Sequence, residues 1–306
     1  MSTRDQSFDP ALKAMRLSVV SVVANVLLAL IKGIAGVLGQ SYALVADAAE
    51  SILDIFSSLV VWGGLRFAAK PPDENHPYGH GKAEPLASIV VSLALLGAAV
   101  GIALASVESL KRAQEPPAMF TLYVIVGVLV IKETLFRMLR AAGRRYGSTA
   151  LQSDAWHHRS DAITSLAALV GIAIAVFGGP EYASADDWAA LLACGIIAFN
   201  GLRLLRPAFR EIMDEAPDPS VAEEVRKCAE RVQGVVGLDV CLVRKMGLHF
   251  FVDLHVCVPG ALTVREGHRI AHDVRDAVVA EVQGVVDVLV HIEPVEEEMP
   301  ELVKKG

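Results

Sequence analysis

Long apolar runs alternate with short polar connections up to about residue 208, and the pattern then changes to short alternating and helical periods. A bilayer-crossing helix needs about 20 predominantly apolar residues. Six runs meet or approach that length: Leu17 to Leu38, Leu44 to Phe67, Leu86 to Leu110, Met119 to Leu139, Ala162 to Phe177 with a polar lead-in, and Trp188 to Leu205. Six spans place both termini on one side of the membrane. Lys and Arg recur in the N-terminal arm (Arg4, Lys13, Arg16), in the connections Arg66 to Lys82 and Arg137 to Arg145, and at the exit Arg203, Arg206 and Arg210. By the positive-inside rule that side is the cytoplasm. The expected location is therefore the inner (plasma) membrane, crossed several times.

Beyond Pro207, Pro217 and Pro219 mark a linker to a separately folding unit. Ser220 stands three residues before Glu223, the spacing of a capping box, with a helix from Val221 to Val232. Gly237 to Met246 and His249 to Val258 alternate as strands that meet at Gly247, Thr263 to Val282 has helical spacing, and Val285 to Ile292 reads as a third strand. The order αββαβ predicts a small α+β sandwich with both helices on one face of the sheet. The expected division is a six-helix transmembrane domain at 1–208, a cytoplasmic αββαβ domain at 209–295 and an acidic tail at 296–306.

Composition agrees with this division. The 306 residues are 53% hydrophobic with a mean hydropathy of +0.45, which excludes an ordinary soluble protein. From Arg210 onward 19 Asp and Glu stand against 11 Lys and Arg, so the soluble part is acidic and no nucleic-acid partner is indicated. Cys194, Cys228, Cys241 and Cys257 have no CxxC spacing, so neither a disulfide framework nor a cysteine-rich zinc site is expected.

The chemistry lies in polar residues set where apolar ones belong. Glu50 with Asp54, and His157 with Asp161, are pairs four apart in separate apolar segments. Helical spacing puts each pair on one face, and ionisable groups at membrane depth mark a pathway or a binding site. Three carboxylates and one imidazole make a four-ligand set that suits a divalent transition metal. Asp47 and Asp154, about a turn earlier, are placed to orient ligands or to cap helix ends facing water. The connection 73–82 gathers Asp73, His76 and His80, either a three-ligand cluster or a solvated loop with turns at Pro77 and Gly79. The soluble unit holds His249, His255, His268, His272 and His291 with Asp239 and Glu293. Strand alternation puts His291 with Glu293, His255 with Cys257, and Asp239 with Cys241 on common faces. His255 and His291 can there meet His268 from the helix, while Cys241 and Cys257 read as core thiols.

The string Ala-Asp47-Ala-Ala-Glu50-Ser-Ile-Leu-Asp54, the loop Asn75-His76-Pro-Tyr-Gly-His80-Gly-Lys82-Ala-Glu84, the pair His157 and Asp161, and the αββαβ unit together resemble the cation diffusion facilitator family, close to its bacterial zinc/iron exporters. The resemblance covers nearly the whole chain. It implies a homodimer of six-helix protomers with cytoplasmic metallochaperone-like domains that exports a divalent metal in exchange for protons. It implies a transport site of Glu50, Asp54, His157 and Asp161, a loop site of Asp73, His76 and His80, and a C-terminal site of Asp239, His255, His268 and His291 bridged by Glu293. A charge interlock falls on Lys82 and Asp214. Two positions depart from the family pattern: Glu50 stands where relatives usually have Asp, His or Asn, and Asp239 where zinc relatives often have His. Both add oxygen character, which leaves the metal open among zinc, iron(II), manganese, cobalt and cadmium; the resemblance puts zinc first.

Ligation requires a neutral imidazole and ionised carboxylates, so protons and metal compete for the same atoms, a direct route to antiport. No HExxH helix and no nucleophile beside a base is present in the sequence, so a hydrolase is not expected, and no organic cofactor is called for. A passive metal channel and a metal-sensing membrane protein are the alternative readings.

Overall fold

The computed structural model describes residues 10–112, 115–146 and 149–295. The expected acidic tail at 296–306 and Arg4 of the N-terminal arm lie outside the described residues. Six long helices come first: α1 (Pro10–Leu38), α2 (Tyr42–Ala68), α3 (Ala83–Leu110), α4 (Met119–Tyr146), α5 (Thr149–Gly178) and α6 (Ser184–Ile212). A single 3-10 turn, Pro180–Tyr182, precedes α6. Then follow α7 (Pro219–Glu230), β1 (Gly237–Met246), β2 (His249–Pro259), α8 (Val264–Glu281) and β3 (Val285–Val295). The described residues pack as two compact units, those up to 60 with those in 90–204, and 61–89 with those from 205 onward.

In the first unit the polar lead-in before Ala162 is helical, so α5 runs 30 residues and carries His157 and Asp161 well inside it. α2 starts where it does because the Ser41 hydroxyl accepts from the Leu44 N–H, and the Asp186 carboxylate accepts from the N–H groups of Tyr42 and Ala43. These bonds satisfy donors that the first turn of a helix leaves open. α5 and α6 approach closely at Gly171, where a Cβ would lie 2.3 Å from that of Ala189, so a larger residue would force the helices apart.

Among the described residues, five helices are long and apolar enough to cross a bilayer. The remaining one, α2, has 27 residues but carries Asp47, Glu50, Asp54 and Arg66. The exterior of the bundle is aliphatic and aromatic, with Leu30, Leu104, Tyr123 and Phe177 exposed, whereas the largest wholly buried side chains include Lys32 and Lys132. In lipid the apolar residues can face outward while charges must pair inside.

In the second unit β1 and β2 pair antiparallel, and β2 and β3 pair parallel, giving the order β1-β2-β3. Met246 pairs with His249 across a two-residue turn at Gly247, whose φ of 64° is open to glycine at little cost. The parallel pair needs a crossover, supplied by α8. Val225 of α7 and Ile270, Val274 and Val278 of α8 bury against Leu254 and Val256 of β2, which puts both helices on one face. Two details differ from the sequence expectation. α7 is capped by Asp218, whose side chain accepts from Ser220 N–H, with Pro219 in the first turn; Ser220 is not the cap, because proline already fits the first helical position. The capping box is found at α8, where Thr263 and Glu266 satisfy each other's backbone N–H groups.

Candidate metal centre

Asp54 on α2 and His157 and Asp161 on α5 converge, each offering one ligand atom within 4.8 Å of the others. His157 Nε2 lies 3.9 Å from Asp54 Oδ2, and His157 Nδ1 lies 3.7 Å from Asp161 Oδ1, so the imidazole stands between the two carboxylates. Glu50, one turn before Asp54, is not part of this three-residue grouping. It lines, with Asp54, Leu53, Ser57, Asn200 and Arg203, a cavity of about 420 Å³. Two helices thus present carboxylates and an imidazole to one point beside a solvent-sized space, which is what a dehydrating cation needs.

The residues expected to orient these ligands have other partners. Asp47 forms a buried ion pair with Lys32 (Nζ to Oδ2, 2.9 Å) and accepts from the Ser165 hydroxyl at 2.8 Å. Lys32 also donates to the Asp47 carbonyl at 2.8 Å and to Ser51 Oγ at 2.6 Å. Asp154 lies 3.9 Å from Nε2 of His158, which is wholly buried and 2.8 Å from Ser21 Oγ. It therefore serves the helix packing around His158 and does not face the convergence point. Sequence reasoning passed over Lys32, Lys132 and Ser165. The legible signal was a lone lysine inside each of two apolar runs, where an unpaired charge is costly.

The loop cluster closes on itself. Asp73 Oδ1 is 3.0 Å from His76 Nδ1, Asp73 Oδ2 is 3.4 Å from His80 Nε2, and the two imidazole rings are 4.3 Å apart between centroids. The hydrogen bond from the His76 side chain, with backbone N–H bonds from His76 and Asn75, holds the Asp73 carboxyl below the usual aspartate range. Asp73 therefore stays ionised into acid. Lys82 Nζ lies 3.1 Å from Asp214 Oδ1, a half-exposed salt bridge between the two residues on which the resemblance places a charge interlock.

On the sheet, Asp239, His255 and Glu293 gather from the three strands. His255 Nδ1 lies 2.7 Å from Glu293 Oε1, and His291, directly across from His255 in the parallel register, lies 4.0 Å from the same oxygen. The register slips between Leu238 and Cys241, and this bulge separates two residues expected on one face. Asp239 turns outward beside His255, while Cys241 turns to the core. Burial pushes the thiols of Cys241 and Cys257 up, which keeps both protonated and poor as ligands. His268 does not join the sheet cluster as expected. It stacks edge-on with His272 at 4.6 Å on α8, because helical spacing pairs residues four apart.

An apolar helix bundle with carboxylates and an imidazole converging inside it, followed by a small α+β domain with further acid–histidine clusters, has the build of a membrane transporter of metal cations. The chain matches the cation efflux transmembrane domain over residues 18–213 and the cation efflux protein cytoplasmic domain over residues 217–295. Manganese efflux system protein MneP of Bacillus subtilis (strain 168) is 29% identical over 287 residues, 92% of this chain and 97% of that protein. Metal tolerance protein 2 of Oryza sativa subsp. japonica is 32% identical over 299 residues, 89% of this chain and 76% of that protein. Magnetosome protein MamB of Magnetospira sp. (strain QH-2) is 32% identical over 265 residues, 86% of this chain and 89% of that protein. A solved MamM-CTD structure is 27% identical, covering 25% of this chain and 98% of that one, with a TM-score of 0.25. The chain belongs to the cation diffusion facilitator family: it is a multi-pass membrane transporter of divalent metal cations with a cytoplasmic C-terminal domain.

Proposed function

We propose that this protein exports a divalent transition metal in exchange for protons, by alternating access in a homodimer, from a site made of Glu50, Asp54, His157 and Asp161. The observation that carries this reading is the convergence of Asp54, His157 and Asp161 beside the cavity that Glu50 lines. Both functions follow from one chemistry, since the atoms that hold the metal are the atoms that take the protons. Zinc is the ion that such a set holds more tightly than manganese, by the general order of divalent affinities. Three oxygens to one nitrogen narrow that advantage, and manganese is the ion in the name of the relative MneP. We therefore assign both as substrates, with iron(II), cobalt and cadmium as the remaining members of the panel.

The loop cluster (Asp73, His76, His80) and the sheet cluster (Asp239, His255, His291, Glu293) are read as auxiliary sites on the cytoplasmic side, and Lys82–Asp214 as an interlock. Residues 1–208 are read as the transport domain and 209–295 as the cytoplasmic one.

The test is a metal panel in proteoliposomes under an imposed pH gradient. The gradient alone should drive zinc and manganese against their own gradients; movement only down the metal gradient would instead make the protein a channel. Glu50→His, which adds a nitrogen ligand, should raise the zinc-to-manganese ratio of transport rates by about tenfold. A ratio left unchanged would remove Glu50 from the site.

A further inference from the structure

α4 supplies none of the proposed metal ligands, yet Lys132 at its centre is 2% exposed and points at one of them, with Nζ 3.5 Å from Asp161 Oδ2. The two oxygens of Asp161 are thus divided. Oδ1 faces His157, and Oδ2 faces Lys132. A metal bound between Asp54, His157 and Asp161 would take the first oxygen and leave the second on the ammonium.

Among the described residues, the two buried lysines of the bundle are held very differently. Lys32 makes three short contacts, at 2.6, 2.8 and 2.9 Å, to Ser51 and Asp47. Its charge is cancelled by Asp47, and the pair is a locked structural element. Lys132 has two longer contacts, 3.5 Å to Asp161 and 3.4 Å to Ser165 Oγ, and Ser165 is itself turned to Asp47 by its 2.8 Å hydrogen bond. Lys132 is thus positioned by the Lys32–Asp47 pair through one hydroxyl, while its charge remains directed at the site.

We propose that Lys132 is a built-in cation of the transport site, one that weakens the hold of Asp161 on the metal and sets the charge the site accepts. Ionised Glu50, Asp54 and Asp161 carry three negative charges, and Lys132 returns one positive charge, leaving the two that a divalent ion neutralises. An ammonium on the second carboxylate oxygen withdraws electron density from the first and repels the incoming ion through a medium of low dielectric. Tight holding would trap the cargo, so a resident cation that loosens the site favours release. Lys132 is in this reading a positioning and affinity-setting residue, since it touches the ligand and not the metal.

The inference rests on the four-residue transport site, and the experiment separates the two. Zinc and manganese uptake into proteoliposomes would be measured over a range of metal concentrations for the full chain, Lys132→Gln, Lys132→Met, Lys132→Arg and Asp54→Asn. Both neutral variants should lower KM by about tenfold and lower kcat by a comparable factor, because metal binds more tightly and leaves more slowly. Lys132→Arg, which keeps the charge, should retain a KM close to that of the native chain. The proposal is overturned if the neutral variants raise KM or leave both constants unchanged, if the arginine variant behaves like the neutral ones, or if neither neutral variant folds, since the amine would then serve only the fold. Asp54→Asn reports on the site itself. If it transports normally, the four-residue site is wrong; if it is inactive while the Lys132 variants keep their KM, only the role of Lys132 is lost.

Discussion

Asp54→Asn is expected to abolish metal transport, lowering the rate in proteoliposomes by at least about 100-fold, because loss of partners outside a metal's coordination sphere already costs about 10–100-fold. The side chain of Asp54 is 36% exposed, and among the described residues its ion-pair contact is with the half-exposed His157 at 3.9 Å, so removing the charge leaves no buried lysine without its counter-ion. Folding and assembly should therefore be unchanged, which makes the loss of transport a reading of ligation alone. The equivalent change at Asp161 would be less informative, since it also removes the counter-ion of Lys132. A rate for Asp54→Asn within about threefold of the native chain, with the protein correctly assembled, would dismiss this aspartate as a ligand.

Lys32→Met should destabilise the membrane domain by about 3–5 kcal/mol, the usual cost of removing one partner from a buried ion pair. Lys32 is wholly buried and Asp47 nearly so, and the carboxylate left behind would retain only the Ser165 hydroxyl among its side-chain partners. The double variant Lys32→Met with Asp47→Asn should recover most of the loss. The unbranched thioether fills the space of the lysine stem, and the asparagine carbonyl still accepts from Ser165. Thermal unfolding in detergent measures both variants. A single variant that melts with the native chain, or a double variant no more stable than the single one, would show that the pair does not hold the bundle together.

Much of the architecture was legible before any coordinates. The apolar runs located all six helices, and the alternation after Pro217 located α7, β1, β2, α8 and β3 in their order. The misses have local causes. A polar lead-in made α5 look shorter than its 30 residues, because hydropathy measures contact with lipid and not helicity. Pro219 displaced the cap of α7 from Ser220 to Asp218. A bulge between Leu238 and Cys241 reversed the face of one residue against the other, and strand periodicity cannot anticipate an extra residue in a ladder.

The chain's sequence by itself determined that it is a membrane protein with acids and histidines spaced four apart inside apolar helices, since period and hydropathy are properties of consecutive residues. Only the tertiary structure decided which of those residues meet. It brought Asp54, His157 and Asp161 to one point, left Glu50 on the cavity wall, turned Asp47 and Asp154 to other partners, and kept His268 on its helix beside His272. It also placed Lys32 and Lys132 among the largest wholly buried side chains of the bundle. Pairing across helices depends on rotation and crossing distance, and these are set by packing among all six helices and not by the spacing along any one of them.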